Sequence, residues 1–173
     1  MEFKNEIGLI QRRMAASIAG TSRRLEILNA LDIKSGQYVL DIGCGGGHLL
    51  EEIAKAVGPE GRAYGLDTSE DQLNQARKRC SLYKNVFTIK GYANQINLEN
   101  NSCDSICSVQ TFEYIDNVDD SIKELTRILK PSSIFVNISI LWEYYKFFGA
   151  DEELNKTIHL SLIHISEPTR LHG

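Results

Sequence analysis

Val39-Leu40-Asp41-Ile42-Gly43-Cys44-Gly45-Gly46-Gly47 joins a short apolar run to a cluster of glycines, and the fold is decided in this stretch. A strand covered on both faces reads as a continuous apolar run, so Tyr38 to Ile42, apolar but for one acid near its end, predicts a β-strand. A chain that leaves such a strand and turns at once into a helix needs left-handed backbone and close approach, which glycine permits without steric penalty. His48 to Val57 supplies the helix: Leu49, Leu50, Ile53, Ala54 and Val57 form one apolar stripe, ended by Gly58, Pro59 and Gly61. The turn aims free helix N-terminal amides beyond the strand, which suits an anionic group.

The same alternation repeats outward. Arg62 to Leu66 predicts a second strand, and Ser69 followed by Gln72 is a capping box for a helix carrying Leu73, Ala76 and Cys80 on one side. Asn85 to Lys90 and Asp104 to Val109 predict strands three and four. Val118 to Leu129 predicts a helix with Ile122, Leu125 and Leu129 in register, and Ile134 to Ser139 a fifth strand after Pro131. The pattern is α/β: a parallel sheet with helices on both faces. Ile7 to Leu31 predicts two helices separated near Gly20, which either cover the edge of the site or pack on the sheet.

Three segments follow: a helical stretch over 1–35, a core over 36–157 and an unstructured tail over 158–173. The final SLIHISEPTRLHG (161–173) has neither period and looks like translated sequencing-adapter DNA, which would make it foreign. His159, His164 and His172 are therefore not read as a metal site.

Composition narrows the function classes. With 173 residues, 42% apolar and 24% charged, the chain is long enough for one domain with a sizeable core. A net charge of -4 is small and of the wrong sign for general attraction to nucleic-acid phosphates, leaving a small-molecule partner as the default. No apolar run approaches the roughly 20 residues of a membrane span, and Met1 to Arg12 carries charges where a signal peptide is apolar, so the expected compartment is the cytoplasm. Cys44, Cys80, Cys103 and Cys107 form no Cys-x-x-Cys pair and are read as buried, reduced thiols.

A glycine-rich turn serves several nucleotide sites, and two are disfavoured here. No lysine stands between Asp41 and Lys55, so the phosphate loop of nucleoside triphosphatases is absent. The dinucleotide fingerprint wants glycine in the sixth place, where His48 or Leu50 falls. Asp67, at the end of the second strand, is placed to accept both hydroxyls of a ribose, which any ribose-bearing cofactor would satisfy.

Val39 to Gly47 resembles motif I of the class I S-adenosylmethionine-dependent methyltransferases. Asp67-Thr68-Ser69-Glu70-Asp71-Gln72-Leu73 with Ala76 is similar to the segment after strand two in their ubiquinone-type and type 11 members. Ser102 to Val109 resembles their motif IV, and Leu129-Lys130-Pro131 their turn before strand five. These segments span about residues 36 to 140 and are specific for the superfamily rather than for a substrate.

The resemblance implies a Rossmann-like sheet of five parallel strands in the order 3-2-1-4-5 and S-adenosylmethionine as cofactor. It implies binding through Asp41, Gly43, Cys44, Gly45, Gly47, Asp67, Thr68, Gln72, Tyr92, Ala93, Val109 and Gln110, with no metal. Asp41 would face the cofactor's amino group and the glycine loop its carboxylate, with Gln72 under the adenine. The family's Gly-Asp-Ala after strand three is Gly91-Tyr92-Ala93 here, so adenine would be met by a ring or hydroxyl in place of a carboxylate, and Ser132-Ser133 replaces a usual glycine pair. Family members continue into a helix and an antiparallel hairpin beside strand five. Their absence reads as truncation and leaves strand five an open edge for self-association.

The implied reaction is in-line transfer of a methyl group to a small-molecule acceptor, with a quinone, lipid, natural product or arsenite all compatible. The alternatives are a cofactor-binding fragment without turnover and an NAD-dependent oxidoreductase. Gln110, Glu113 and Tyr114 lie just past strand four, where a general base would help an acidic acceptor, and Glu113 is the candidate, against its reading as a first-turn acid. Trp142 to Phe148 places five aromatics in seven positions, which either form an acceptor pocket or pack on the sheet edge.

Overall fold

The chain is described from a computed structural model, which places residues 15–139 together with Arg13 and Glu153. The chain divides into two units, Met1–Ile138 and Ser139–Gly173, and the architecture below belongs to the first. The aromatic cluster at 142–148, the tail at 158–173 and most of residues 1–14 lie outside the described residues.

Five strands form one sheet: β1 (Tyr38–Ile42), β2 (Arg62–Asp67), β3 (Val86–Lys90), β4 (Cys103–Val109) and β5 (Leu129–Ile138). All pair in parallel, in the order β3-β2-β1-β4-β5. This is the expected Rossmann-like, doubly wound arrangement. Among the described residues, four α-helices with both ends placed accompany it: α1 (Ile18–Leu31), α2 (His48–Val57), α3 (Glu70–Arg79) and α4 (Val118–Ile128).

Alternation along the strands sorts side chains to two cores. Val39, Ala63 and Cys107 face one side with Ile27 and Leu31 of α1, the α2 stripe, and Leu73 and Ala76 of α3. Leu40, Ile42, Tyr64, Leu66 and Ile106 face the other with Leu125 and Ile128 of α4. Both faces of the inner strands are thus covered, which is why β1 is apolar without interruption until Asp41.

No helix joins β3 to β4; instead, an irregular stretch places Ala93 and Ile96 in the second core. Arg127 of α4 holds it, donating to the carbonyls of Ile96 (2.9 Å) and Leu98 (2.8 Å), while Glu124 accepts from the Ile96 amide at 2.7 Å.

Three local expectations need correction. The break expected near Gly20 falls three residues earlier: a turn and bend at Ala16 and Ser17 separate helical Arg13 and Ala15 from the helix that starts at Ile18, which Ser17 caps by accepting from the Gly20 amide. That helix packs on the sheet through Ile27 and Leu31. The buried stripe of α4 is Ser121, Leu125 and Ile128, with Ile122 41% exposed. Leu129 leaves the helix and opens β5, because Pro131 disfavours helical backbone just before it.

A register shift between Cys103 and Ser105 absorbs the extra residues of β5, and Ser132 there adopts φ +66°. This is where the resemblance wants glycine. A left-handed serine is strained by roughly 1–2 kcal/mol, partly offset by the unfolded-state entropy of a glycine. Ser132→Gly should therefore raise the unfolding free energy by about 0.5–1 kcal/mol, read as a melting temperature higher by about 2–4 °C. An unchanged or lower melting temperature would show that the serine relieves its own strain.

Candidate cofactor site at the switch point of the sheet

In an open parallel sheet, ligands bind beyond the carboxyl ends of the strands where the strand order reverses, here between β1 and β4. The glycine turn leaves β1 at this point and Gln110-Thr111 leaves β4. Gln110 is itself left-handed at φ +53°, its amide bonded to Ile138 O at 2.7 Å, so a non-glycine residue is held in a sparse conformation at the rim.

Glycine is required at two places in the turn. Gly47 has φ +80°, and a Cβ there would lie 2.8 Å from Ala76 Cα, so α3 packs directly on the turn. Gly43 has φ +70°, and a Cβ there would overlap Thr111, whose hydroxyl donates to the Ile42 carbonyl at 3.3 Å. Next to Asp41 in β2, Gly65 leaves room for the Leu50 and Cys44 side chains. By contrast, a Cβ at Gly45 would meet nothing within 4 Å, so the turn presents bare backbone on its open side.

Four amides of the turn already have acceptors, three of them in β2, which leaves the expected free donors to the N-terminal amides of α2. Gly43 and Cys44 donate to Leu66 O at 2.8 and 3.0 Å, Gly47 donates to Cys44 O at 3.0 Å, and Gly45 donates to Asp67 Oδ2 at 2.9 Å. No side chain caps α2, so donors for an anion come from the first turn of that helix, beyond Gly47. Arg79 adds a brace from α3: its Nε donates to Gly46 O at 3.0 Å and its guanidinium meets His48 Nε2 at 3.0 Å. Arginine only donates, so that ring nitrogen accepts and the imidazole is neutral, in keeping with burial and then Arg79 and Arg24 holding His48 below its usual range.

Two carboxylates define the electrostatics. Asp41 is 2% exposed, in register with Gly65 of β2 and Cys107 of β4. Its Oδ1 has only the Cys107 thiol at 3.9 Å, and its Oδ2 is buried without any partner. Burial first, then the charge of Asp67, raises its pKa to about 8, against a small lowering by the thiol. Asp67 accepts from Gly45 and from Ser69, the latter at 2.8 Å, and burial raises its pKa while these bonds oppose the rise. The Thr68 amide adds to these two, so three backbone donors converge on the Asp67 carboxylate.

The other sequence-derived positions distribute around this pair. Cys44 is buried, with its thiol pushed up by desolvation, and Cys80, Cys103 and Cys107 are likewise free, buried and raised. They behave as packing groups, as expected. Gln72 is 2% exposed on α3 and its amide is capped by Ser69 Oγ, although the Ser69 amide goes to Asp67. Thr68 follows Asp67 directly, and Gly91 donates to the Asp67 carbonyl at 3.1 Å, bringing the Tyr92-Ala93 loop to the same rim. Tyr92 is 68% exposed and Ala93 is buried. Val109 ends β4. Among the described residues, no group of three or more histidine, cysteine or acidic side chains is arranged to hold a metal.

A family profile described as Methyltransferase domain matches residues 33–165. The chain belongs to the methyltransferase domain family. This methyltransferase domain is 29% identical to a structure of an S-adenosylmethionine-dependent methyltransferase from Aquifex aeolicus, with a TM-score of 0.65 over 82% of this chain and 77% of that one. It is 29% identical over 113 residues to a demethylmenaquinone methyltransferase of Staphylococcus aureus, covering 65% of this chain and 47% of the relative. It is 30% identical over 144 residues to an uncharacterised 37.1 kDa protein in transposon Tn4556 of Streptomyces fradiae, covering 83% of this chain and 42% of the relative. The methyltransferase domain thus spans less than half the length of these curated relatives.

Sequence reasoning missed Thr111, Arg79 and Gly65. Thr111 and Gly65 matter through contacts between strands, and Arg79 is one of several basic residues at a helix end. None carries a local signal.

Proposed function

We propose that the domain binds S-adenosylmethionine at the turn between β1 and α2 and transfers its methyl group to a small-molecule acceptor in the cytoplasm. The observation that carries this is the Asp41 carboxylate, buried beneath the glycine turn with one oxygen lacking any donor. An isolated buried carboxylate is costly, and a cationic amino group would satisfy it. The groups present therefore fit the cofactor's amino acid head. Asp67 would accept from the ribose hydroxyls, with Thr68 beside it. Bare backbone at Gly43, Cys44, Gly45 and Gly47 would let the head approach closely, Gln72 and Ala93 would border the base, and Val109 and Gln110 would close the β4 side.

When bound, the cofactor supplies a methyl group on a sulfonium, whose displacement is intrinsically downhill. The chain's contribution is alignment and exclusion of water. Asp41 holds the amino group, Asp67 fixes the sugar and Thr111 keeps the β1 and β4 rims in register.

Titration calorimetry of the full chain with S-adenosylhomocysteine tests the reading. Saturable binding is expected, with NADH binding far more weakly; no heat from folded protein at near-millimolar concentration, or equal affinity for NADH, would sink it. The exposed Tyr92 should stack on the base: Tyr92→Phe should keep the affinity, while Tyr92→Ala should weaken it about 5- to 100-fold, the range of one base–aromatic stack. A loss in both variants would instead assign the contact to the hydroxyl.

A further inference from the structure

Glu113 is a second acid at the switch point with buried oxygens that lack a donor. It lies in the 3₁₀ turn Phe112–Tyr114 that follows β4, three residues past Gln110. Glu113 is the first-turn acid of that turn, in keeping with one of its two sequence readings, but both of its carboxylate oxygens are buried and neither has a hydrogen-bond partner, so the charge is not held at the surface. The residues around it are anchored: Thr111 to the β1 carbonyl of Ile42, Phe112 against Phe135 with ring centroids 5.3 Å apart, and the Tyr114 amide to Thr111 O at 3.0 Å. A rigid turn that withdraws a carboxylate from water and offers it no donor is costly unless a ligand brings one.

We propose that Glu113 is a catalytic residue that accepts the proton of the methyl acceptor, and that this acceptor is a neutral hydroxyl, phenolic or enolic, rather than an amine. The inference rests on the methyltransferase reading above. A carboxylate next to an amine would hold it as ammonium and so remove the lone pair that must attack carbon. A hydroxyl keeps its lone pair while donating, and its proton becomes strongly acidic only as the new bond forms, when a carboxylate suffices as base. The acceptor oxygen forms the bond to the methyl carbon, the carbon–sulfur pair stays on sulfur as a neutral thioether, and the hydroxyl proton passes to Glu113.

The test compares the full chain with Glu113→Gln and Glu113→Asp. Affinity for S-adenosylhomocysteine should be unchanged in all three, and the melting temperature of Glu113→Gln should equal or exceed that of the parent, since no partner is lost. Calorimetry with catechol added to the S-adenosylhomocysteine complex should show binding that Glu113→Gln weakens. Transfer of labelled methyl from S-adenosylmethionine to catechol should fall about 10²- to 10⁴-fold in Glu113→Gln and partly recover in Glu113→Asp. Catechol methylation by Glu113→Gln at the parent's rate, preferential methylation of benzylamine, or a parent that binds S-adenosylhomocysteine but neither binds nor methylates catechol would each overturn the proposal. A parent that does not bind S-adenosylhomocysteine strikes the methyltransferase reading itself.

Discussion

Asp41→Asn should produce a protein that is more stable and binds cofactor far more weakly. In the folded chain the Asp41 carboxyl is raised from 3.8 to about 8, while in the unfolded chain it titrates near its ordinary value. Between these values the folded state keeps a proton that the unfolded state has lost, so this group makes stability fall as pH rises from about 4 to about 8, and flattens above that. Asparagine has no such penalty. At pH 8.5 the variant should therefore exceed the parent by roughly 1–3 kcal/mol, a gap that closes toward pH 4.

Binding should move the opposite way. Removing the charge that faces a buried ammonium group costs about 3 kcal/mol or more, which is at least a hundredfold in affinity for S-adenosylhomocysteine. In the parent, that affinity should rise with pH by up to tenfold per unit until about pH 8, with a proton released to buffer, because only the ionised carboxylate pairs with the ligand. The variant's profile should be flat. Denaturation curves and calorimetry in two buffers at several pH values read both effects. A parent whose affinity is independent of pH over 6 to 8 would remove Asp41 from the site.

Gly47→Ala should be the most damaging small substitution in the turn. The new methyl would sit 2.8 Å from Ala76 Cα and 2.9 Å from Ala76 Cβ, backbone and its first atom, neither able to swing aside. Left-handed strain of roughly 1–2 kcal/mol adds to an overpacking cost of about 1–3 kcal/mol, so unfolding free energy should drop by about 2–5 kcal/mol. The melting temperature should fall by roughly 5–15 °C. Because relief requires α3 to retreat, and α3 carries Gln72 and Arg79, cofactor affinity should fall as well. A Gly47→Ala variant as stable as the parent would mean that the turn and α3 are not in direct contact.

The sheet was legible because its signals are local. Apolar runs at β1 and β2, the stripe of α2 and the glycine cluster each point to one structure, and the family resemblance orders the strands. The errors fall where tertiary context outweighs periodicity. Ile122 fits the helical stripe of α4 as well as Ser121 does, yet the sheet buries Ser121. Leu129 completes a helical pattern, but Pro131 turns the backbone there into a strand.

At the site, Asp41 and Asp67 were visible from position. The engagement of the turn amides was not, since Leu66 O and Asp67 reach them only after β2 lies beside β1. Nor could spacing show that Glu113 is shielded from water, which depends on how Thr111 and Phe112 are fixed.

The guanidinium of Arg127 grips the loop that carries Tyr92 and Ala93 through the carbonyls of Ile96 and Leu98. That loop has no helix of its own to stiffen it, so its stiffness is lent by a helix on the opposite half of the sheet. If the loop borders the base as proposed, thermal fraying of α4 would reach the ligand as play in that loop, and a mutation on the distant helix would change how long the nucleoside stays without touching it.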